Sequence, residues 1–131
     1  MKNNALLCIN KNKAQVYIIK KTKVMKLITK EIENRLANYP LYSQDGKTEK
    51  TIVCKFFLAN FTWYVCEARK MNNDFEFYGI VDNAGEKEFG YFTLSQLQSV
   101  RGPWGLTVER DMYFRPQTIK ASEFMNSSNN L

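Results

Sequence analysis

Residues 61–93 read FTWYVCEARKMNNDFEFYGIVDNAGEKEFGYFT, and this stretch decides the fold. Apolar and polar residues alternate in three segments of it, 61–68, 75–82 and 86–92. Such alternation is the pattern of a strand with one apolar and one polar face. The segments between them, MNND at 71–74 and NAG at 83–85, are short and rich in turn-forming residues. Consecutive strands joined by such short turns predict an antiparallel meander.

A fourth alternating segment lies directly before this stretch. Thr51–Leu58 places Ile52, Cys54, Phe56 and Leu58 on one face, and Ala59-Asn60 allows a tight reversal into the next strand. Val108–Phe114 is predicted as a further short strand. The sheet therefore has four or five strands.

Helices are predicted on both sides of the meander. A helix over 30–38 begins at Thr29, which can accept hydrogen bonds from the free amides of the first turn, and it ends before Pro40. A second helix follows the capping-box sequence Thr93-Leu94-Ser95-Gln96, reaches about Val100, and is stopped by Gly102-Pro103. A last helix reaching about Met125 is predicted to begin at Thr118.

These elements predict an α+β fold with a four- to five-stranded, mostly antiparallel sheet in a meander. One helix lies N-terminal to the sheet, and one or two helices lie C-terminal to it. A chain of 131 residues is long enough for one domain, which we assign to residues 25–125. Residues 126–131 are predicted to be a disordered tail.

The excess positive charge of the chain lies in residues 1–24. This segment contains six lysines and no acidic residue, whereas residues 25–131 contain 13 basic and 13 acidic residues, so the formal net charge of +6 belongs to it. The segment is interpreted either as a short hairpin of Ala5–Ile9 and Ala14–Ile19 or as an extension before a natural start at Met25. Five of its basic residues are candidates for binding nucleic-acid phosphates: Lys11, Lys13, Lys20, Lys21 and Lys23. The alternative is that the segment is a solvated tail.

Composition excludes several classes of protein. The chain contains no histidine, which removes the commonest general base and most zinc sites. Cys8, Cys54 and Cys66 have no CxxC spacing, as is typical of reduced cytosolic thiols. There is no apolar run long enough to cross a membrane and no signal-peptide cleavage pattern. We therefore expect a cytoplasmic protein with no cofactor, metal or membrane partner, and we assign no catalytic residue.

A set of motifs resembles one family of bacterial proteins. The motifs, quoted as they stand in this chain, are Leu41-Tyr42, Lys55-Phe56-Phe57, Thr62-Trp63-Tyr64, Tyr78-Gly79-Ile80-Val81, Gly90-Tyr91-Phe92-Thr93-Leu94, Arg101-Gly102-Pro103 and Glu109-Arg110-Asp111. From about residue 25 to 120 their order is similar to that of domain of unknown function 2958. The resemblance implies a protein encoded on plasmids, integrative elements or phages, near genes for conjugation or antirestriction. It implies no catalytic residues.

Five charged residues interrupt the apolar strands: Glu67, Glu88, Glu109, Arg110 and Asp111. Burying a charge is costly unless it is paired. In an extended segment, Arg110 faces one side and its two acidic neighbours face the other, so Arg110 can reach Glu67 or Glu88 on another strand. The functional interpretation is a site where carboxylates hold a divalent metal or perform acid–base chemistry. The alternative is a structural ion pair.

Aromatic residues are the remaining candidates. Trp63, Tyr64 and Tyr91 are possible stacking platforms for single-stranded nucleic acid, and core packing is the alternative. Trp104 lies in the loop Gly102-Pro103-Trp104-Gly105, where it either anchors a partner protein or folds back as a lid on the core.

Our first hypothesis for function is a non-catalytic accessory protein of a bacterial mobile element or phage that contacts another protein, with counter-defence as a possible role. The second is a nucleic-acid-binding protein that uses the basic N-terminal segment. The third is a carboxylate-based, metal-dependent enzyme. The sequence leaves the partner and the oligomeric state open.

Overall fold

The computed structural model of the chain describes residues 25–131. The predicted hairpin or extension at residues 1–24 lies outside the described residues. The elements in chain order are α1 (Lys30–Leu36), β1 (Glu49–Ile52), β2 (Cys54–Leu58), β3 (Phe61–Met71), β4 (Asp74–Asn83), β5 (Glu86–Thr93), α2 (Leu94–Ser99), a 3₁₀ turn (Pro103–Gly105), β6 (Glu109–Arg110), β7 (Gln117–Lys120) and α3 (Ala121–Met125). The predicted α+β class is confirmed.

Five of the strands form one antiparallel sheet in the order β5-β4-β3-β2-β6. The predicted meander is therefore the body of this sheet. The two remaining strands, β1 and β7, pair with each other in a separate two-stranded antiparallel sheet.

One side of the large sheet is covered by the first two helices, and we call it the helix face. Phe56, Trp63, Val65 and Phe77 are buried there in the same apolar cluster as Ile32 and Leu36 of α1 and Leu97 of α2. These two helices begin where the sequence predicts. The Thr29 hydroxyl accepts from the amide of Ile32 at 3.2 Å, and Thr93 and Gln96 form a capping box.

The other side of the large sheet, which we call the opposite face, is also covered. Tyr64, Cys66 and Ile80 are buried there against residues of β1, β7 and α3. The residues that these elements contribute are Ile52, Ile119 and Phe124. The large sheet is thus the middle of three layers, which explains why apolar residues occupy both faces of its strands.

Three predicted elements differ from the structure. The predicted strand Thr51–Leu58 is interrupted at Val53, because β1 leaves the large sheet to pair with β7. Thr118 does not cap a helix: it lies within β7 opposite Thr51, and the two hydroxyls are 3.2 Å apart. Of the predicted strand Val108–Phe114, only Glu109–Arg110 pairs, with β2.

A β-bulge interrupts the pairing of β3 with β4. The register shifts between Val65, which pairs with Gly79, and Glu67, which pairs with Tyr78, so Cys66 is the extra residue. The shift changes which face each later residue of β3 occupies. Glu67 consequently lies on the opposite face with Tyr78, instead of on the helix face with Val65.

The last six residues, predicted to be a disordered tail, contact the opposite face. The carbonyl oxygen of Ser127 accepts a hydrogen bond from the buried Lys87 ammonium at 2.6 Å. The carbonyl oxygen of Leu131 accepts one from Lys55, and the Leu131 side chain packs against the apolar cluster of that face.

Candidate functional site

The segment between α2 and β6 is a compact loop, and we call residues 100–107 the Trp104 loop. Its ends are joined by an antiparallel bridge between Arg101 and Thr107. Inside the bridge, the Gly102 amide donates to the carbonyl of Leu106 at 2.8 Å, and the Leu106 amide donates to the carbonyl of Pro103 at 3.2 Å. These bonds fix the loop backbone on both sides of Trp104.

Two contacts attach the base of the Trp104 loop to the domain. A Cβ atom added at Gly102 would lie 3.1 Å from Cδ1 of Leu58, so the backbone of the loop rests on the end of β2. The Arg101 guanidinium donates to the carbonyls of Gln98 and Val100 at 2.7 and 3.0 Å, beside the C-terminal end of α2.

Trp104 lies at the tip of this loop and is 98% exposed. Its backbone is left-handed, with φ 63° and ψ 19°, a conformation that costs a non-glycine residue about 1–2 kcal/mol. The indole therefore does not fold back on the core. Strain of this kind persists where the surrounding structure imposes it, and it is concentrated at functional sites.

Trp104 is not the only exposed apolar residue of the described chain. Val100 and Leu106 belong to the Trp104 loop and are exposed. Phe61, the first residue of β3, is also exposed, with its ring stacked on Trp63 at a centroid distance of 5.7 Å. The exposed apolar residues of the loop itself, Val100 and Leu106, are therefore candidates to contact a partner beside Trp104.

The other candidate aromatic residues are placed differently. Trp63 and Tyr64 are buried on the two faces of the large sheet, so neither offers a free ring face for stacking. Tyr91 is exposed on β5, with its ring centroid 4.8 Å from that of Tyr78.

The charged residues predicted to cluster do not form one group. Glu67 is buried, and its two carboxylate oxygens accept the amides of Tyr42 and Gln44, each at 2.8 Å. The predicted pairing of Arg110 with Glu67 or Glu88 is wrong. The Arg110 guanidinium lies on the helix face and donates to the carbonyls of Lys26 and Leu27.

The remaining acids of that set are also separated. Glu88 is exposed on β5, at the sheet edge farthest from β6. Four strand spacings of about 4.8 Å place these edges roughly 19 Å apart. Glu109 is exposed on β6, and Asp111 lies 3.6 Å from the Lys55 ammonium. Within residues 25–131, no group of three acidic or cysteine side chains is arranged to hold a metal ion.

Both cysteines of the described domain are buried. Burial raises the pKa of the Cys54 thiol, and of the Cys66 thiol, to about 12 from an ordinary value of 9.0. Because the thiolate is the reactive form, both thiols are unreactive at neutral pH. Their contribution to the free energy of unfolding is therefore highest below pH 9.0, where both thiols are protonated in the folded and the unfolded chain. It falls as the pH rises from 9.0 to about 12, because the thiols then ionise more readily in the unfolded chain.

We predict that iodoacetamide at about pH 8 labels neither Cys54 nor Cys66 in the folded protein and labels both in denaturant. Mass mapping of peptides separates these two residues from Cys8. Labelling of either residue at the same rate in folded and denatured protein would contradict their burial.

The basic residues Lys11, Lys13, Lys20, Lys21 and Lys23 lie outside the described part of the chain. Among residues 25–131, no helix has the length and apolar character needed to cross a membrane.

The described part of the chain is a three-layer α+β domain that presents a rigid, aromatic-tipped loop. The model of the family described as protein of unknown function (DUF2958) matches residues 27–130, and the chain belongs to this family. The resemblance inferred from the sequence motifs is thereby confirmed. No curated protein and no solved structure matches the chain.

Proposed function

We propose that this protein is a non-catalytic accessory protein that binds another protein through the Trp104 loop. The observation that carries the proposal is the exposure of Trp104 on a loop whose backbone is already fixed. Large, rigid aromatic side chains are the residues that most often dominate the binding energy of protein interfaces.

The rigidity of the loop matters as much as its exposed ring. Ordering a flexible loop on binding consumes part of the interaction energy, and a preformed loop avoids this cost. An indole buries about 200 Å² when it enters a pocket, which corresponds to roughly 5 kcal/mol of apolar burial. The partner we propose therefore has an apolar pocket that receives this ring.

The setting we propose is the cytoplasm of a bacterium that carries a mobile element or phage, with counter-defence as the role. Support for this setting is the gene neighbourhood that the family resemblance implies, which is an association and not a physical argument.

Trp104→Ala is predicted to weaken binding of the partner by about 2–4 kcal/mol, or roughly 30- to 1,000-fold, because it removes the anchoring ring. Tyr113→Ala is the matched control, since Tyr113 is an aromatic residue that is 87% exposed outside the loop. Tagged wild type and both variants would be used to recover partners from the bacterial host, and the affinity of each recovered protein would then be measured. If Trp104→Ala retains every partner as well as wild type does, the loop is not the contact.

Tryptophan fluorescence gives a direct measurement of the same contact. The chain has two tryptophans, of which Trp63 is buried and Trp104 is exposed. In a Trp63→Phe variant the emission comes from Trp104 alone. We expect iodide to quench this emission strongly in the free protein and weakly in the complex.

A further inference from the structure

A cleft of about 400 Å³ separates α1 from the segment 110–115. The buried residues Val53 and Cys54 line it, together with Met112 and Phe114. Its charged lining residues are four basic ones, Lys30, Arg35, Arg110 and Arg115, and two acidic ones, Glu31 and Asp111.

Both acidic residues of the cleft already have partners. The Glu31 carboxylate accepts a hydrogen bond from the Arg35 guanidinium at 2.9 Å. The Asp111 carboxylate accepts the amide of Tyr113 at 3.0 Å and lies 3.6 Å from the Lys55 ammonium. These contacts neutralise both acids and, with them, Arg35.

Three cations of the cleft remain without an acidic partner. Lys30, Arg110 and Arg115 form no ion pair with any acidic side chain of residues 25–131. Residues 1–24 contain no Asp or Glu that could pair with them. Although residues 25–131 are neutral overall, the four basic and two acidic side chains that line this cleft give it an excess of positive charge.

The cleft also lies where the lysine-rich part of the sequence joins the domain. The Arg110 amide donates to the Met25 sulfur at 3.0 Å, and the Arg110 guanidinium donates to the next two carbonyls of that segment. The chain before Met25 adds six lysines, three of them at positions 20, 21 and 23. In the sequence, a basic segment thus directly precedes the residues that Arg110 holds.

We propose that this cleft binds the phosphates of a nucleic-acid strand, with Lys30, Arg110 and Arg115 as the phosphate-binding residues. Arginine and lysine side chains are the usual ligands of phosphate, and three such cations in one cleft match the repeating charge of a polyanion. A volume of this size suits a nucleotide. Met112 and Phe114 provide apolar contacts for a sugar or base. This binding site is separate from the proposed protein contact and does not depend on it.

The test compares two double variants that remove the same charge. Lys30→Gln/Arg115→Gln changes two exposed residues of the cleft, and Lys47→Gln/Lys120→Gln changes two exposed residues outside it. Arg110 is left unchanged because it also holds the segment at Lys26 and Leu27. Binding of fluorescent single-stranded DNA, single-stranded RNA and duplex DNA of about 20 nucleotides is measured by anisotropy at several salt concentrations.

We expect the full-length chain to bind at least one of these oligonucleotides at about 50 mM salt, with affinity falling steeply as salt rises. The cleft variant should bind roughly tenfold more weakly, and its salt slope should be smaller by about 1.4–1.8. The control variant should remain near wild type. Absence of binding by the full-length chain, or equal affinities of the two double variants, would overturn the proposal.

Discussion

Gly79→Ala is expected to lower the free energy of unfolding by at least about 3 kcal/mol, which corresponds to a fall in Tm of roughly 10 °C or more. A Cβ atom at this position would lie 1.9 Å from the carbonyl oxygen of Tyr64 and 3.1 Å from Cα of Val65. Both are backbone atoms next to the bulge, so the clash cannot be relieved by rotating a side chain. Thermal and urea denaturation measure the effect.

Gly90→Ala is the matched control for this substitution. Gly90 pairs with Gly79 across β4 and β5, but a Cβ atom there would meet nothing within 4 Å. We expect the stability of the Gly90→Ala variant to stay within about 1 kcal/mol of wild type. The added methyl group contacts no neighbouring atom, and alanine reduces the conformational freedom of the unfolded chain. Equal stability of the two variants would contradict the close approach of β3 to β4 at the bulge.

Glu67→Ala is expected to cost about 3–5 kcal/mol of stability. The substitution leaves the amides of Tyr42 and Gln44 without acceptors, and the Gln44 amide is buried. Tyr42 has a left-handed backbone, with φ 74°, which this carboxylate helps to hold. The loss is measured by chemical denaturation.

Two further substitutions make this prediction specific. Glu67→Gln keeps one acceptor oxygen but directs an NH₂ group at a backbone donor, so we expect a loss of about 1–3 kcal/mol. Glu88→Ala removes an exposed carboxylate from β5 and should change stability by no more than about 0.5 kcal/mol. If Glu67→Ala and Glu88→Ala have the same effect, the buried carboxylate does not stabilise the turn at Tyr42.

Strands and helix starts that are determined by residues close together in the sequence could be predicted. Alternation over 61–93 predicts the meander, and Thr29 and Thr93 predict the starts of α1 and α2. The bulge at Cys66 could not be predicted, because residues 63–68 are buried whichever face they occupy, and the one charged residue among them, Glu67, is buried as well, so no exposed polar residue marks the register. Strand β7 was missed because its partner, β1, lies far away in sequence.

The charged residues show why site prediction from sequence is harder than fold prediction. The partners of Glu67 are backbone amides, which every residue except proline has, so no sequence pattern identifies them. Lys30 and Arg115 are distant in sequence and line the same cleft only in the folded chain. By contrast, the glycines at 102 and 105 predicted that Trp104 lies in a loop. Whether its ring is exposed or folded back could not be predicted, because this depends on the left-handed backbone of Trp104.

The pairing of β1 with β7 has a consequence for the order of folding. The whole meander lies between these two strands, whereas β2 to β5 are each joined to the next by a short turn. Loop-closure entropy makes contacts between near neighbours fast and contacts between distant segments slow. We therefore expect the meander to form before the β1–β7 pair. In the native state we expect the amides of this pair to exchange with solvent through smaller openings than those of the meander, which native-state hydrogen exchange measures.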